Sequence, residues 1–154
     1  PFSGFHFDIA RTGCALYGIS PKNPMQHVAT LLAPIIQIRT LDRDETVGYG
    51  ATAQAKKGSR IAITALGYAD GYFRMLGNKG HAYIAGHKAP LIGRVSMDMV
   101  AIDISNIPEA QITKTTSVEF INSSQTVDDI ATQCNTIGYE IFTRIGRRVK
   151  RVYT

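Results

Sequence analysis

Long apolar runs are missing from this chain, and so is any metal-ligand spacing of cysteine and histidine. No apolar stretch approaches the roughly 18 residues that a membrane-spanning helix needs, so no such span is expected. The opening residues, Pro-Phe-Ser-Gly-Phe-His, carry neither a basic n-region nor an apolar h-region and do not read as a secretory signal. They also lack an initiator methionine, which fits processing, trimming or a piece of a longer chain. The two cysteines, Cys14 and Cys134, lie far apart without a CxxC pattern. Two free thiols in a cytosolic protein are expected rather than a disulfide. The four histidines form no His-x-x-x-His pair, and no metal is expected.

What is present suits one folded domain. The chain has 154 residues, of which 44% are hydrophobic and 19% charged, a balance typical of globular proteins rather than disordered ones. The formal net charge is +5, with much of the excess in Arg144, Arg147, Arg148, Lys150 and Arg151. That sign invites a nucleic-acid reading, but no aromatic platform or nucleic-acid motif accompanies the cluster. An anionic phosphate ligand or an acidic partner subunit explains the charge equally well.

The patterning predicts a mainly β chain. Phe5 to Ile19 forms an apolar leader with one cation, Arg11, and Ser20-Pro21-Lys22-Asn23-Pro24 breaks both helix and ladder. A long strand is expected over Leu31 to Leu41, where Ile36, Ile38 and Thr40 alternate with Gln37 and Arg39. Further strands are expected over 47–53, 59–67, 81–86, 89–95, 98–104 and 117–122. Reversals are expected at Lys57-Gly58 and Gly86-His87-Lys88. Such a density of short strands predicts an antiparallel β-barrel or sandwich. Thr126 and Asp129 have capping-box spacing, which predicts a helix over Val127 to Cys134 with Ile130 and Ala131 inward. A second short helix is expected over Tyr139 to Arg144.

Tyrosines and arginines set between glycines are the chemical signature of the chain. They occur in Val47-Gly48-Tyr49-Gly50, in Gly67-Tyr68-Ala69-Asp70-Gly71-Tyr72-Phe73-Arg74, and in Gly93-Arg94-Val95-Ser96-Met97-Asp98. Taken singly, each has a plain structural reading: an edge-strand tyrosine for Tyr49, a surface charge for Arg74, a gap-filling side chain for Met97, a core aromatic for Tyr139. Together with Arg11-Thr12-Gly13-Cys14-Ala15-Leu16-Tyr17-Gly18, Asn135-Thr136-Ile137-Gly138-Tyr139-Glu140 and Arg148-Val149-Lys150-Arg151, they form an ordered series. That series resembles the C-terminal region of the alanine racemase family, from about Phe7 to Tyr153.

The resemblance implies an enzyme that interconverts L- and D-alanine with pyridoxal 5'-phosphate. Tyr49 matches the tyrosine base, which works opposite a lysine on the other face of the cofactor-bound substrate. A phenol near pKa ~10 is a poor base at neutral pH and needs electrostatic help. Met97 matches the residue whose main-chain N–H meets the substrate carboxylate. Tyr68, Arg74, Arg94 and Ile137 correspond to residues lining the entryway. Arg11 corresponds to the arginine that donates to the cofactor ring nitrogen. A guanidinium keeps its proton, so that nitrogen must stay an acceptor and the ring a tempered electron sink. Backbone N–H groups at Gly13 and Cys14, with the Tyr139 hydroxyl, would hold the phosphate.

The departures are few. Asp44 and Asn122 stand where turn glycines are usual, Thr115-Thr116 stands where Gly-Asp is common, and Lys150 replaces a proline. Residues 1–25 read as a remnant of the last strand and loop of the cofactor-binding barrel with its linker, and 26–154 as the C-terminal β domain. The barrel that carries the covalent lysine in the family has no counterpart in this sequence. The expectation is therefore part of an enzyme, inactive alone, cytoplasmic, and associating as a homo-oligomer or with a barrel-bearing partner. The competing reading is a non-catalytic binding or assembly module derived from the same domain.

Overall fold

A computed structural model describes residues 4, 7–9, 11–20 and 25–154. The predicted break after Ser20, together with Phe5, lies outside the described residues. Eight strands form: β1 (Leu31–Thr40), β2 (Glu45–Val47), β3 (Ala53–Ala55), β4 (Arg60–Thr64), β5 (His81–Ile84), β6 (His87–Pro90), β7 (Val100–Asp103) and β8 (Ser117–Ile121). Three short helices accompany them: α1 (Glu109–Ile112), α2 (Val127–Gln133) and α3 (Gly138–Arg144). Six strands make one sheet in the order β6-β5-β8-β1-β4-β7, antiparallel at each described pairing. A bridge between Leu91 and Ile102 links the end of β6 to β7, so the sheet curls almost closed. The predicted antiparallel barrel is the observed architecture.

The ten residues of β1 serve two neighbours. Leu31 to Pro34 pair with β8, and Ile35 to Thr40 pair with β4, with irregularities near Leu31 and Ile36. Pro34 lacks an N–H, and the hand-over between partners falls beside it. The alternation over Ile36 and Ile38 does form a strand, but both side chains remain about half exposed (55% and 45%). Among the described residues neither joins a hydrophobic core cluster.

Inside the barrel, Phe120, Ile84, Ile102, Ile104 and Val118 are completely buried. The Tyr72 ring meets Phe120 edge to face at 5.0 Å. Burial pushes the Tyr72 phenol far above its ordinary range. Helix α2 closes one side with Val127, Ile130 and Ala131. Its start matches expectation, since the Asp129 carboxylate accepts the Thr126 N–H at 2.8 Å and Thr126 Oγ1 accepts the Asp129 N–H. A smaller cluster of Leu41, Ala55, Ile61 and Ala101 lies apart from the main core and includes β3 of the short β2–β3 hairpin.

Several expectations are corrected. Residues 47–53 are not one strand. Gly48, Gly50 and Ala51 all have positive φ (82°, 76° and 53°), which breaks the ladder and makes 48–52 the tip of the β2–β3 hairpin. Residues 93–99 form a loop and not the continuation of β6, because Gly93 turns with φ of 80°. The second reversal falls at Ala85-Gly86, both left-handed, while His87 and Lys88 already belong to β6. This is the geometry of a two-residue hairpin turn. Asp44 and Asn122, which stand where turn glycines are usual, need no left-handed backbone here. Instead the Asp44 carboxylate accepts the Lys57 N–H (2.8 Å) and pairs with Lys56 (2.9 Å), which holds its carboxyl below the usual range. Asn122 Oδ1 accepts the N–H groups of Ser124 and Gln125. In the leader, the described residues of 7–20 show a 3-10 turn at Cys14–Tyr17 and no strand.

Candidate functional site

Three loops meet at one edge of the barrel. The first is the hairpin tip at 48–52. The second runs over 67–78, through 3-10 turns at Tyr68–Asp70 and Arg74–Leu76. The third is 93–99. Backbone contacts lock them together. The Tyr68 N–H donates to Ser96 O and the Ala69 N–H to Met97 O, each at 3.0 Å. A Cβ on Gly67 would run into the Met97 backbone, so this approach requires glycine. A Cβ on Gly93 would come within 2.7 Å of Val47 O, and one on Gly48 within 2.9 Å of the Gly93 Cα. The tyrosine-bearing tip thus rests directly on the Gly93-Arg94 backbone.

Asn78 joins all three loops. Its N–H donates to Gly93 O at 3.0 Å and its Oδ1 accepts the Gly93 N–H at 2.6 Å. Its amide nitrogen also donates to Thr52 Oγ1 at 3.4 Å. Behind the loops stands the C-terminal segment. Arg148 reaches Asp70 Oδ1 (3.2 Å) through Nε and Asp98 Oδ1 (2.7 Å) through Nη2. The two carboxylates hold the guanidinium above its already high ordinary pKa, Asp98 by hydrogen bond first and Asp70 by charge. The Asp70 side chain is mostly buried and also accepts the Gly67 N–H at 2.8 Å.

On this rigid frame the side chains named from the sequence are open to ligand. Tyr49 is 74% exposed, and among the described residues its hydroxyl has no hydrogen-bond partner. Arg74 and Arg94 are exposed and make no ion pair among the described residues, while an Arg94 nitrogen lies 3.1 Å from where a Gly50 Cβ would stand. The Met97 N–H likewise donates to no acceptor among the described residues, and the Met97 side chain is half exposed. Tyr68 borders solvent.

A second group forms where the leader meets α3. The Tyr139 hydroxyl lies 3.6 Å from the position a Gly13 Cβ would take. Desolvation, then the neighbouring Cys14 side chain, pushes the Tyr139 phenol above its usual value. Tyr17 meets Tyr139 edge to face at 5.8 Å and lies 6.3 Å from Phe142. The Ser20 N–H donates to Asp128 at 2.8 Å, and Ile19 packs so closely on Gly138 that a Cβ there would meet it at 2.9 Å. The Gly13 and Cys14 N–H groups have no protein acceptor among the described residues. Free amides beside a phenol hydroxyl suit the phosphate end of pyridoxal phosphate. Ile137, the residue before α3, is 66% exposed. Arg11 is exposed and has no ion-pair partner among the described residues.

Both cysteines are free thiols, and among the described residues no cluster of His, Cys, Asp or Glu fits a metal. No described helix is long and apolar enough to cross a membrane. Asn78 and Arg148 went unrecognised as organisers of the site. The turn dipeptide Gly77-Asn78 was a local signal for the first, but Arg148 was submerged in a terminal run of basic residues.

In shape, the chain superposes on solved alanine racemases. It covers 99% of its own length on a Bartonella henselae alanine racemase with covalently bound pyridoxal phosphate, at TM-score 0.88 and 36% identity, and 43% of that chain. On the biosynthetic alanine racemase of Pseudomonas aeruginosa the TM-score is 0.80 at 37% identity, covering 91% of this chain and 40% of that one. In sequence, it is 43% identical to an alanine racemase of Brucella canis and 45% identical to one of Rickettsia canadensis, in each case over 97% of this chain and 42% of the relative. The family model "Alanine racemase, C-terminal domain" matches residues 28–153. The chain belongs to the alanine racemase C-terminal domain family, and it spans less than half the length of these relatives.

Proposed function

We propose that this chain supplies the C-terminal domain, and one of the two bases, of a pyridoxal-phosphate-dependent alanine racemase. The observation that carries the reading is the contrast within the loop edge: backbones pinned by hydrogen bonds and close glycine contacts, with Tyr49, Arg74, Arg94 and the Met97 N–H unpartnered among the described residues. Such a frame pays its ordering cost before substrate arrives.

Pyridoxal phosphate, when bound, supplies the electron sink that acidifies the α C–H of alanine. Gly13 and Cys14 would donate backbone N–H groups to its phosphate, and Tyr139 would add its hydroxyl. Arg11 would donate to the ring nitrogen and could not surrender a proton to it. The Met97 N–H receives the substrate carboxylate and sets which face of the α-carbon meets Tyr49. On that face the Tyr49 phenolate takes the α-proton in one direction, and in the other the Tyr49 hydroxyl returns a proton to the α-carbon. Tyr68, Arg74, Arg94 and Ile137 line the approach, and the unpaired arginines attract the carboxylate of the incoming amino acid.

The opposite base and the covalent tether come from a lysine-bearing barrel, as the length difference from the relatives suggests. Without it this chain alone is inactive. The domain division at about residue 25, a cytoplasmic location and association with a barrel or a second copy belong to the same reading. The half-exposed Leu32, Ile36, Ile38, Met97 and Met99 support an apolar contact surface.

The test is Tyr49→Phe in an assembly that also contains the barrel. Racemisation should fall by about 10²-fold or more, while α-hydrogen exchange with solvent persists for one enantiomer of alanine and stops for the other. Undiminished racemisation, or equal loss of exchange for both enantiomers, would contradict a base on one face.

A further inference from the structure

Arg148 is used by nothing in the scheme above, yet it is the charge that joins two of the three site loops. Resting on the racemase reading for its functional consequence, we infer that Arg148 is a positioning residue: by bridging Asp70 and Asp98 it fixes the Ser96–Asp98 segment and thereby the Met97 N–H that receives the substrate carboxylate.

Met97 is held from two sides. On one, its carbonyl accepts the Ala69 N–H, and the preceding Ser96 carbonyl accepts the Tyr68 N–H, both at 3.0 Å. On the other, Asp98 is drawn to Arg148 Nη2 at 2.7 Å. The Nε of the same guanidinium lies 3.2 Å from Asp70. Asp70 in turn anchors the start of the Tyr68 turn by accepting the Gly67 N–H. The clamp has its own footing, because the Gly146 N–H donates to Asp70 O at 2.9 Å and Gly71 lies against the Arg144–Ile145 backbone.

The chemistry demands an arginine. Two carboxylates on adjacent loops repel, and the side chain of Asp70 is only 10% exposed, so its charge needs a partner close by. A guanidinium offers separate nitrogens to each carboxylate in a fixed plane, whereas an ammonium is a single point of charge. Removing the cation leaves the backbone hydrogen bonds of Ser96 and Met97 opposed by two facing anions. The segment then loosens at the residue whose free N–H the site uses.

The decisive experiment is ¹⁵N relaxation on this chain, unaltered and as Arg148→Gln, Arg148→Lys and Asp98→Asn. In the unaltered chain the Met97 and Asp98 amides should show rigid-backbone order parameters of about 0.85, falling toward about 0.6 in Arg148→Gln. Amides of β1 and β8 should not change. Arg148→Lys should fall between, and Asp98→Asn, which leaves the Asp70 contact in place, should loosen Asp98 more than Gly67. Unchanged order at Met97 in Arg148→Gln overturns the inference, as does uniform loosening of the sheet.

Kinetics in a barrel-containing assembly supply the functional arm. Arg148→Gln should raise KM for alanine about fivefold while kcat stays within about twofold. A loss of kcat at constant KM would mark a merely structural role. If the unaltered assembly does not racemise alanine, the racemase reading fails, while the relaxation data still decide whether Arg148 orders Met97.

Discussion

The barrel interior and the loop edge solve opposite problems with the same residue types. Tyr72 is buried against Phe120, whereas Tyr49 and Tyr68 stand at the surface of the loops. Arg60 is tied to Glu109 and to the carbonyls of Ile104, Ser105 and Ile107, whereas Arg74 and Arg94 have no ion-pair partner among the described residues. Inside, side chains make the structure and the backbone follows a ladder. At the edge, the backbone is fixed by close glycine contacts and Asn78, and side chains are left free. A site read this way is recognised by rigid main chain under unsatisfied side chains.

Five substitutions separate the two regions. The largest loss is expected in the interior: Phe120→Ala removes a completely buried ring and should cost about 3–5 kcal/mol in urea unfolding. A cost below ~1 kcal/mol would show that the main core lies elsewhere. Next comes a pair of glycines. Gly58 has φ of 86° in open space, and Gly93 has φ of 80° against Val47 O. Gly58→Ala should cost only the left-handed strain of about 1–2 kcal/mol. Gly93→Ala should cost more, and should lower racemisation in a barrel-containing assembly by displacing Tyr49. Equal effects on stability and activity would break the claim that the loop contact positions the tyrosine.

A smaller effect concerns alkali. Burial first, then the Glu140 charge, pushes the Cys134 thiol from an ordinary 9.0 up to about 11. The native state therefore holds the proton more tightly than the unfolded chain does. This stabilisation is complete below about pH 9 and is lost as pH rises toward about 11. Urea midpoints should fall between about pH 9 and about pH 11, and Cys134→Ala should show a shallower fall. The smallest stability effect belongs to Arg94→Gln, expected within about 0.5 kcal/mol because the side chain is unpaired. Its consequence should appear in KM for alanine, and a large shift in melting temperature would place Arg94 among the structural arginines.

Much of the fold was legible where the determinants are local. Thr126 and Asp129 announce α2 by their spacing, and the strands over β1, β4, β5, β7 and β8 follow from apolar patterning. Helix α1 was missed, although Pro108 immediately before Glu109 is a start signal. The hairpin tip at 48–52 was read as strand, because apolar and aromatic composition cannot reveal that Gly48 must turn to meet Gly93. The site strings were legible through their resemblance to a family. The frame beneath them was not, since Asn78 with Thr52 and Arg148 with Asp70 and Asp98 meet only after folding. Exposure of Ile36 and Ile38 was equally hidden, as alternation marks a strand without saying what covers its faces.

One measurement tests the central claim most directly: alanine racemisation by this chain with pyridoxal phosphate, alone and after mixing with a lysine-bearing racemase barrel. The account predicts no turnover alone and turnover on mixing that Tyr49→Phe abolishes. Turnover by the unmixed chain, or none from a mixture shown to have assembled, would contradict it.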